Sequence, residues 1–600
     1  HAAGVAFRMK RSGEWTMNTM QRRLLAGCVL LVVLPACQHQ PEWRRRADIL
    51  LRDSAFPRPK AQEPACLTDT ILADGIRAAV ASAGFDRVAD FGPLYGAGCS
   101  SAPAGACAAL VRRTGTDQFP QIDLSLIAFN RPGCPQPVAK ATVVFDRTHP
   151  KGFVARHDTR TLDITNIRFR KWDEARWNGG RWILEGEGAA AQAHIVPGTE
   201  KSWDAPFSAA EALGPMPPAD GGSGQIDFLS PWPASVFKMM VAAYVMKLLD
   251  RGQTTDGMPL SLATPIALPS QELVGACPKE PQTLSLRQAL ETMLQWSGNC
   301  ATASLIRFLH AHQEIVQSPE VDDKGFPTAP PTSSRPNELL AELGLSTMQM
   351  NRTIARSGRW GNANDNYDSR TASVAHNHMT SWDTARLFWL LDDLPAALQP
   401  AWEVAPGRRV MTNFVSDAQK AVLREILQNS YSGSGLAANR TCPGPSPHPE
   451  IPGPPPELGI PARLASKWLD GKRLHSPIGD YPYARVVDDL HPQTDFFPYS
   501  ADLSRCQKFA DVEFLNKAGL TNVAGSSVGI VRGLPDSRHR ASRHYIVSFF
   551  STLGTRYTDE ARLAALALPK DPAAAPRIST TQTLPRLGAT LDAWLALWLE

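Results

Sequence analysis

The stretch from Val236 to Leu249 constrains this chain more than any other. It is apolar almost all round at helical spacing, and such a helix is stable only inside a core. Ser235 stands at its start, and Lys238 lies within it. Residues three apart on a helix share one face, so the hydroxyl and the amine are expected one above the other. Burial disfavours the ammonium form and lowers a lysine's pKa. A neutral lysine beside a serine takes its proton and leaves a nucleophile. The helix N-terminus favours the negative charge that develops there. By itself, S-x-x-K is a weak signal and usually accidental.

Two further stretches add to it. Trp296-Ser297-Gly298-Asn299-Cys300-Ala301 follows a helix that Ser285 and Gln288 open as a capping box. Leu286, Ala289, Leu290, Met293 and Leu294 give that helix a core face, and another helix is expected from Ala301 to His310. Ser297 and Asn299 then sit on a tight turn, where a hydroxyl relays a proton and an amide holds a substrate amide. Farther on comes Phe514-Leu515-Asn516-Lys517-Ala518-Gly519-Leu520-Thr521, followed by strand-like runs from Ser526 to Val531 and His544 to Ser551. A lysine on the inner face of a strand supplies fixed positive charge. The glycine after it lets a substrate backbone approach closely.

In this order the three stretches resemble the S-x-x-K, S-x-N and K-T/S-G motifs of the penicillin-binding protein and serine β-lactamase superfamily, the class A β-lactamase-like branch in particular. The 62 residues from Ser235 to Ser297 are close to that branch's spacing. Thr380-Ser381-Trp382-Asp383-Thr384-Ala385-Arg386-Leu387 is similar to the helix start that follows the omega loop there. The resemblance covers about residues 225–560 and the C-terminal helix. It implies an α/β fold of the β-lactamase/transpeptidase type: an antiparallel sheet flanked by helices plus an all-helical half, here with an added N-terminal mixed α/β region.

The roles it implies are catalytic for Ser235, Lys238, Ser297 and Lys517, and substrate-binding for Asn299, Gly519, Leu520 and Thr521. Ser235 would form an acyl-enzyme, with Lys238 as base. Ser297 would pass the proton to the leaving nitrogen. Asn299 would bind the substrate amide, and Lys517 would hold a carboxylate. Backbone N–H groups of Ser235 and Leu520 would form the oxyanion hole. No cofactor and no metal is implied.

The chain also departs from the pattern. No Glu lies between Glu342 and Glu403, although Asp365 and Asp368 do, so the usual deacylating base is missing. The turn reads Ser-Gly-Asn, as in several D,D-peptidases. Ala518 stands where a hydroxyl is usual. Asn299 to Lys517 spans 218 residues, about twice the usual gap. The expected partner is a cell-wall peptide, acted on as by a D,D-peptidase, or a β-lactam-like small molecule. The alternatives are a β-lactamase with a substituted base and a non-turnover wall-binding or sensor protein.

The start of the chain reads as an export signal. Arg22-Arg23 precede a 13-residue apolar run, Leu24 to Ala36, too short to span a bilayer. It ends in Leu-Pro-Ala-Cys37, similar to the lipobox of bacterial lipoproteins, with a plain secretory signal as the alternative. A lipid anchor at Cys37 with Gln38 after it implies a periplasmic protein held at the outer membrane. Beyond Cys28 and Cys37 eight cysteines remain: 66, 99, 107, 134, 277, 300, 442 and 506. An even number in an exported chain favours disulfides, with pairing open.

The expected organisation is a signal with upstream residues at 1–36, a polar tether at 37–60, and an α+β region at 61–200. A hydrolase-like domain at 201–600 follows, with Pro-rich surface insertions near 316–336 and 442–500. Within 61–200, a helix is expected from Asp69 to Ala83. Strands are expected around Ile122–Ala128, Val143–Phe145 and Leu162–Phe169, with a turn at Asn178-Gly179-Gly180. Trp172, Trp177 and Trp182 read as a packed core or hairpin, with a binding platform as the alternative, and the apolar run at 589–599 as a short helix lying on the sheet. The net charge of +4 is supplied entirely by residues 1–36, so the remainder has no basic excess and nucleic acid is not an expected partner. His376-Asn377-His378 lacks a third metal ligand and reads as a solvated loop. His539 and His544 among Arg538, Arg540 and Arg543 read as a surface charge cluster.

Overall fold

The computed structural model describes residues 42–52, 55–60, 64–90, 112–113, 119–173, 176–177, 182–185, 192–195, 197–203, 205–214, 224–274, 277–322, 325–351, 353–354, 377–428, 430, 435–437, 459–463, 510–521, 524–535, 542–554, 557–559 and 583–600. Its centre is a six-stranded antiparallel sheet. In chain order the strands are β1 (Ile122–Phe129), β2 (Val138–Phe145), β3 (Phe153–Val154), β4 (Val512–Leu520), β5 (Gly525–Gly533) and β6 (His544–Ser551). Their spatial order is β4-β5-β6-β1-β2-β3, so half the sheet comes from each end of the chain. Register is continuous: Lys517 lies opposite Val528, Val528 opposite Ser548, Ser548 opposite Ser125, and Ser125 opposite Thr142.

Both faces of the sheet are covered. On one face lie α1 (Glu42–Leu50), α2 (Asp69–Ala83) and the C-terminal helix, whose tryptophan Trp594 packs against Gly75. On the other lies the helical half: α3 (Lys238–Arg251), α4 (Leu286–Gln295), α5 (Asn299–Ala311), α6 (Arg335–Glu342), α7 (Ser381–Leu391) and α8 (Asp417–Gln428). The C-terminal helix, α9, runs Thr583–Leu599. It starts earlier than the apolar run predicts, because Thr583–Gly588 continue the same buried face. Helix α2 has the predicted bounds, with Thr68 as N-cap and Gly84 in the left-handed conformation behind it.

Several expectations are corrected. Residues 42–50 are not a polar tether but helix α1, because Ala47 and Leu51 are buried and Arg46 forms an ion pair with Asp592 of α9. The Pro-rich insertion expected near 316–336 runs into a helix: Pro336 lies in the first turn of α6, where its missing N–H costs nothing. Asp123 and Ser125 are as buried as Leu124, since helices close both sides. Asn377 and His378 are buried rather than solvated; Asn377 Oδ1 accepts from the Asn351 backbone at 2.9 Å, and His378 bridges to Gln349. Arg543 is buried, not part of a surface cluster, and His544 Nε2 sits 2.7 Å from Asp392 Oδ2.

Trp172 and Trp177 belong to the core, as expected. Two disulfides occur among the described residues, Cys66–Cys134 and Cys277–Cys300. The signal segment, Cys37, Gln38, the turn at 178–180, His376, His539, Asp365, Asp368, most of the 442–500 insertion and the other four cysteines of the even set lie outside the described residues.

One buried ionic cluster joins both ends of the chain. Asp592 Oδ2 lies 3.0 Å from Arg543 and 3.2 Å from Arg46, and its Oδ1 accepts from Tyr545 Oη at 2.9 Å. Arg543 also reaches Asp511 Oδ2 at 2.9 Å. Removing one partner leaves uncompensated buried charge. Asp592→Asn should therefore destabilise the fold by about 3 kcal/mol, read from urea unfolding, whereas Asp74→Asn in the exposed Arg77 pair should change stability by less than about 0.5 kcal/mol.

Candidate active site

Helix α3 is enclosed along nearly its whole length, from Lys238 to Leu249 with only Lys247 less covered. Ser235 does not lie in its first α-turn. It sits in a 3₁₀ turn, Ala234–Phe237, where residues three apart eclipse one another even more closely. Ala234 precedes it at φ +48°, a strained conformation for a residue with a side chain. Ser297 has φ +57° and is strained in the same way. The structure thus holds the residue before one expected catalytic serine, and the other serine itself, in the left-handed region.

The three sequence stretches meet. Lys238 Nζ lies 2.6 Å from Ser297 O, 2.8 Å from Asn299 Oδ1 and 3.1 Å from Ser297 Oγ. Lys517 Nζ donates to the same Ser297 Oγ at 3.0 Å and to Ala518 O at 2.6 Å. Both lysines are fully buried. Desolvation brings the Lys238 pKa down to about 7.

The three oxygens around Lys238 satisfy it in either protonation state. As an ammonium it donates to all three. As an amine it still donates to two of the three, Ser297 O and Asn299 Oδ1, and the lone pair freed from the Ser297 hydroxyl can take a proton. That hydroxyl keeps a lone pair for Lys517. A proton can therefore arrive at or leave Lys238 without rearranging its neighbours.

Strand β4 closes the site from the sheet side. Gly519 lies against the serine turn so tightly that a Cβ there would stand 2.7 Å from Ser235 N and 2.7 Å from Pro233 O. Its glycine is required by space, not by backbone angle. Leu520 and Thr521 follow at the end of the strand, with Thr521 N donating to Ala524 O at 2.8 Å.

Ser526 of β5 was missed from sequence. Its Oγ donates to Pro233 O at 2.7 Å and lies 3.3 Å from Gly519 O, so one hydroxyl ties the serine turn to β4. Nothing local marks it; its position depends on the β4–β5 register. Gly298 is likewise fixed by space, since a Cβ would stand 2.9 Å from Thr292 Cγ2. A residue with a Cβ at 298 would force Thr292 of α4 to shift. Among the described residues no group of three metal-ligating side chains occurs.

The fold is β-lactamase-like, and its site brings two lysines and a turn hydroxyl together beside a serine. Residues 232–320 match the model of the Beta-lactamase enzyme family, a span that holds Ser235, Lys238, Ser297 and Asn299. The chain thus resembles the β-lactamase-like and penicillin-binding protein serine hydrolase superfamily.

Similar solved structures include a β-lactamase from Chitinophaga pinensis DSM 2588, at 14% identity and TM-score 0.28, covering 58% of this chain and 83% of that one. Another is a representative class A β-lactamase from Bacteroides cellulosilyticus DSM 14838, at 16% and 0.27, covering 60% and 84%. A third, PBP-A, is at 11% and 0.26, covering 57% and 79%. No curated protein sequence matches the chain.

Overpacking at Gly519 has a local and a global reading. Gly519→Ala should cost about 1–3 kcal/mol in urea unfolding. It should also shift the backbone amide resonances around Ser235, with the protein still folded by near-UV circular dichroism.

Proposed function

We propose that this protein is a serine acyl-transfer enzyme acting on an amide or ester through an acyl-enzyme, with a D,D-peptidase-like action on cell-wall peptides as its reaction. The carrying observation is the buried Lys238, set within hydrogen-bonding distance of Ser297 Oγ, while Lys517 holds that same oxygen. In this reading Ser235 attacks the carbonyl carbon and Lys238, as a neutral amine, receives the hydroxyl proton. The oxyanion forms between the backbone N–H groups of Ser235 and Leu520, which Gly519 brings close to the serine turn. The C–N or C–O bond then breaks, and Ser297 passes the proton from Lys238 to the leaving atom. Asn299 and the strand end at Leu520 and Thr521 orient the acyl donor. Lys517 holds positive charge beside the leaving-group side.

A substituted-base β-lactamase and a non-turnover sensor use the same acylation chemistry and differ in the second half of the cycle. The absence of a Glu between Glu342 and Glu403 favours a long-lived acyl-enzyme with β-lactams. We further propose export with a lipid anchor at Cys37, supported by the apolar run ending in Leu-Pro-Ala-Cys. Cys37→Ala should then abolish metabolic labelling with palmitate and release the protein from the membrane fraction.

Acylation by a fluorescent penicillin should label wild type and not Ser235→Ala. Its rate should rise with pH through about 7, because only the neutral form of Lys238 accepts the proton and the neutral form predominates above its pKa. Label that persists for hours supports the peptidase reading, and loss within seconds supports a β-lactamase. Equal labelling of wild type and Ser235→Ala, or a rate that falls as pH rises from 6 to 8, would refute the mechanism.

A further inference from the structure

We propose that the Cys277–Cys300 disulfide is a positioning element of this site, so that acylation at Ser235 depends on that bond being oxidised. The proposal deepens the acyl-transfer reading and rests on it.

Cys300 directly follows Asn299 and lies in the first turn of α5. Only Trp296, Ser297 and Gly298 connect the end of α4 to that turn. Ser297 is strained, and the oxygens that meet Lys238 are the Ser297 carbonyl and hydroxyl and the Asn299 amide oxygen. Something must hold this short connection against relaxation. On one side Gly298 does so: its N–H donates to Thr292 O at 2.9 Å, and its carbonyl accepts from Thr302 Oγ1 at 2.7 Å. On the other side of Asn299 the restraint is covalent.

The partner, Cys277, is itself fixed. Its N–H donates to Val274 O at 2.8 Å, and the flanking Gln271 N–H reaches Pro278 O at 2.9 Å. Both cysteines are buried in the core that surrounds α3. The ring closed by the bond contains the strand Gln282–Ser285 and all of α4. It therefore ties the start of α5, at the residue after Asn299, to the buried segment that precedes the strand and α4, so the loop carrying the Ser-Gly-Asn turn is anchored at both ends.

The second disulfide provides an internal comparison. Cys66–Cys134 joins residues 68 apart, against 23 for Cys277–Cys300. If the bonds did nothing but restrict the unfolded chain, the longer loop would contribute more stability. A stability role and a positioning role therefore predict opposite rankings for the effect on acylation. With a dithiol such as dithiothreitol, reduction converts the S–S bond to two thiols while the reagent closes to its cyclic disulfide, so the change is reversible on the wild-type protein.

The test compares the full-length wild type with Cys277→Ser/Cys300→Ser and Cys66→Ser/Cys134→Ser. Three quantities are read: the second-order acylation rate with fluorescent penicillin, the pH midpoint of that rate, and the titration of Lys238 by ¹³C NMR of lysine-labelled protein. The Cys277/Cys300 variant is expected to keep its near-UV circular dichroism, acylate about 10- to 100-fold more slowly, and titrate Lys238 at higher pH as water reaches the amine. The Cys66/Cys134 variant is expected to lose more stability to urea yet keep the rate and the midpoint. Reoxidation of reduced wild type should restore the rate.

An unchanged rate and midpoint in the Cys277/Cys300 variant overturns the proposal. So does a loss of rate that merely follows stability in both variants, or loss of the near-UV signal together with the rate on reduction. If wild type does not acylate, the acyl-transfer reading fails, and the NMR titration still decides whether the disulfide positions the turn around Lys238.

Discussion

The burial of one amine among three oxygens is the constraint on which the rest of this structure depends. Lys238 has no access to water, so its environment must serve it both charged and neutral, and Ser297 O, Ser297 Oγ and Asn299 Oδ1 do this. That arrangement imposes demands in every direction. Helix α3 must lie at the centre of the helical half. The Ser-Gly-Asn turn must accept a left-handed Ser297, at a cost of about 1–3 kcal/mol. Strand β4 must come close enough for Lys517 to reach the same hydroxyl, which requires a glycine at 519. Strain of this kind persists only where neighbours over-determine the geometry, and here α4, α5, β4 and a disulfide all do.

The sheet that supports this arrangement is secured from below and at its ends by buried polar groups. Asp123, near the start of β1, accepts from the backbone N–H of Ser381 at 2.8 Å and from the Ser381 hydroxyl, which fastens the start of α7 to the sheet. Burial raises the Asp123 pKa to about 6, so the carboxylate survives at neutral pH because a helix N-terminus faces it. Ser125, Thr142 and His157 continue this polar line, with Ser125 Oγ 2.7 Å from Thr142 Oγ1. On the opposite face, Asp592 gathers Arg46, Arg543 and Tyr545, so that α1 and α9 close over strands drawn from both halves of the chain. Buried ionic clusters add little net stability over apolar packing, but each specifies one arrangement, because an unpaired member is costly.

Much of this was legible in the residues, and the failures share a cause. Helix α2, the Ser285/Gln288 capping box, the buried α3 and the three motif stretches follow from local chemistry: caps, apolar periodicity and turn-forming glycines. Helix α1 was read as a tether because three consecutive arginines look solvated. The fate of Arg46 depends on Asp592, 546 residues away. The alternation of Asp123 and Ser125 with Leu124 and Leu126 shows only that β1 has two faces, not that both are covered. Ser526 carried no signal, since its reach to Pro233 depends on strand register and on a turn 293 residues distant.

The sequence by itself determined which helix would be buried and that Lys238 would be buried with it, because a run apolar on all sides has no other stable place and a lysine within it is carried inward. Only the tertiary structure decided that Ser297 gathers both lysines, that Gly519 and Ser526 clamp the serine turn, and that Cys277 and Cys300 brace the Asn299 turn. Those outcomes are long-range juxtapositions. They follow from how sheet and helices close around one another, which no short window of residues encodes.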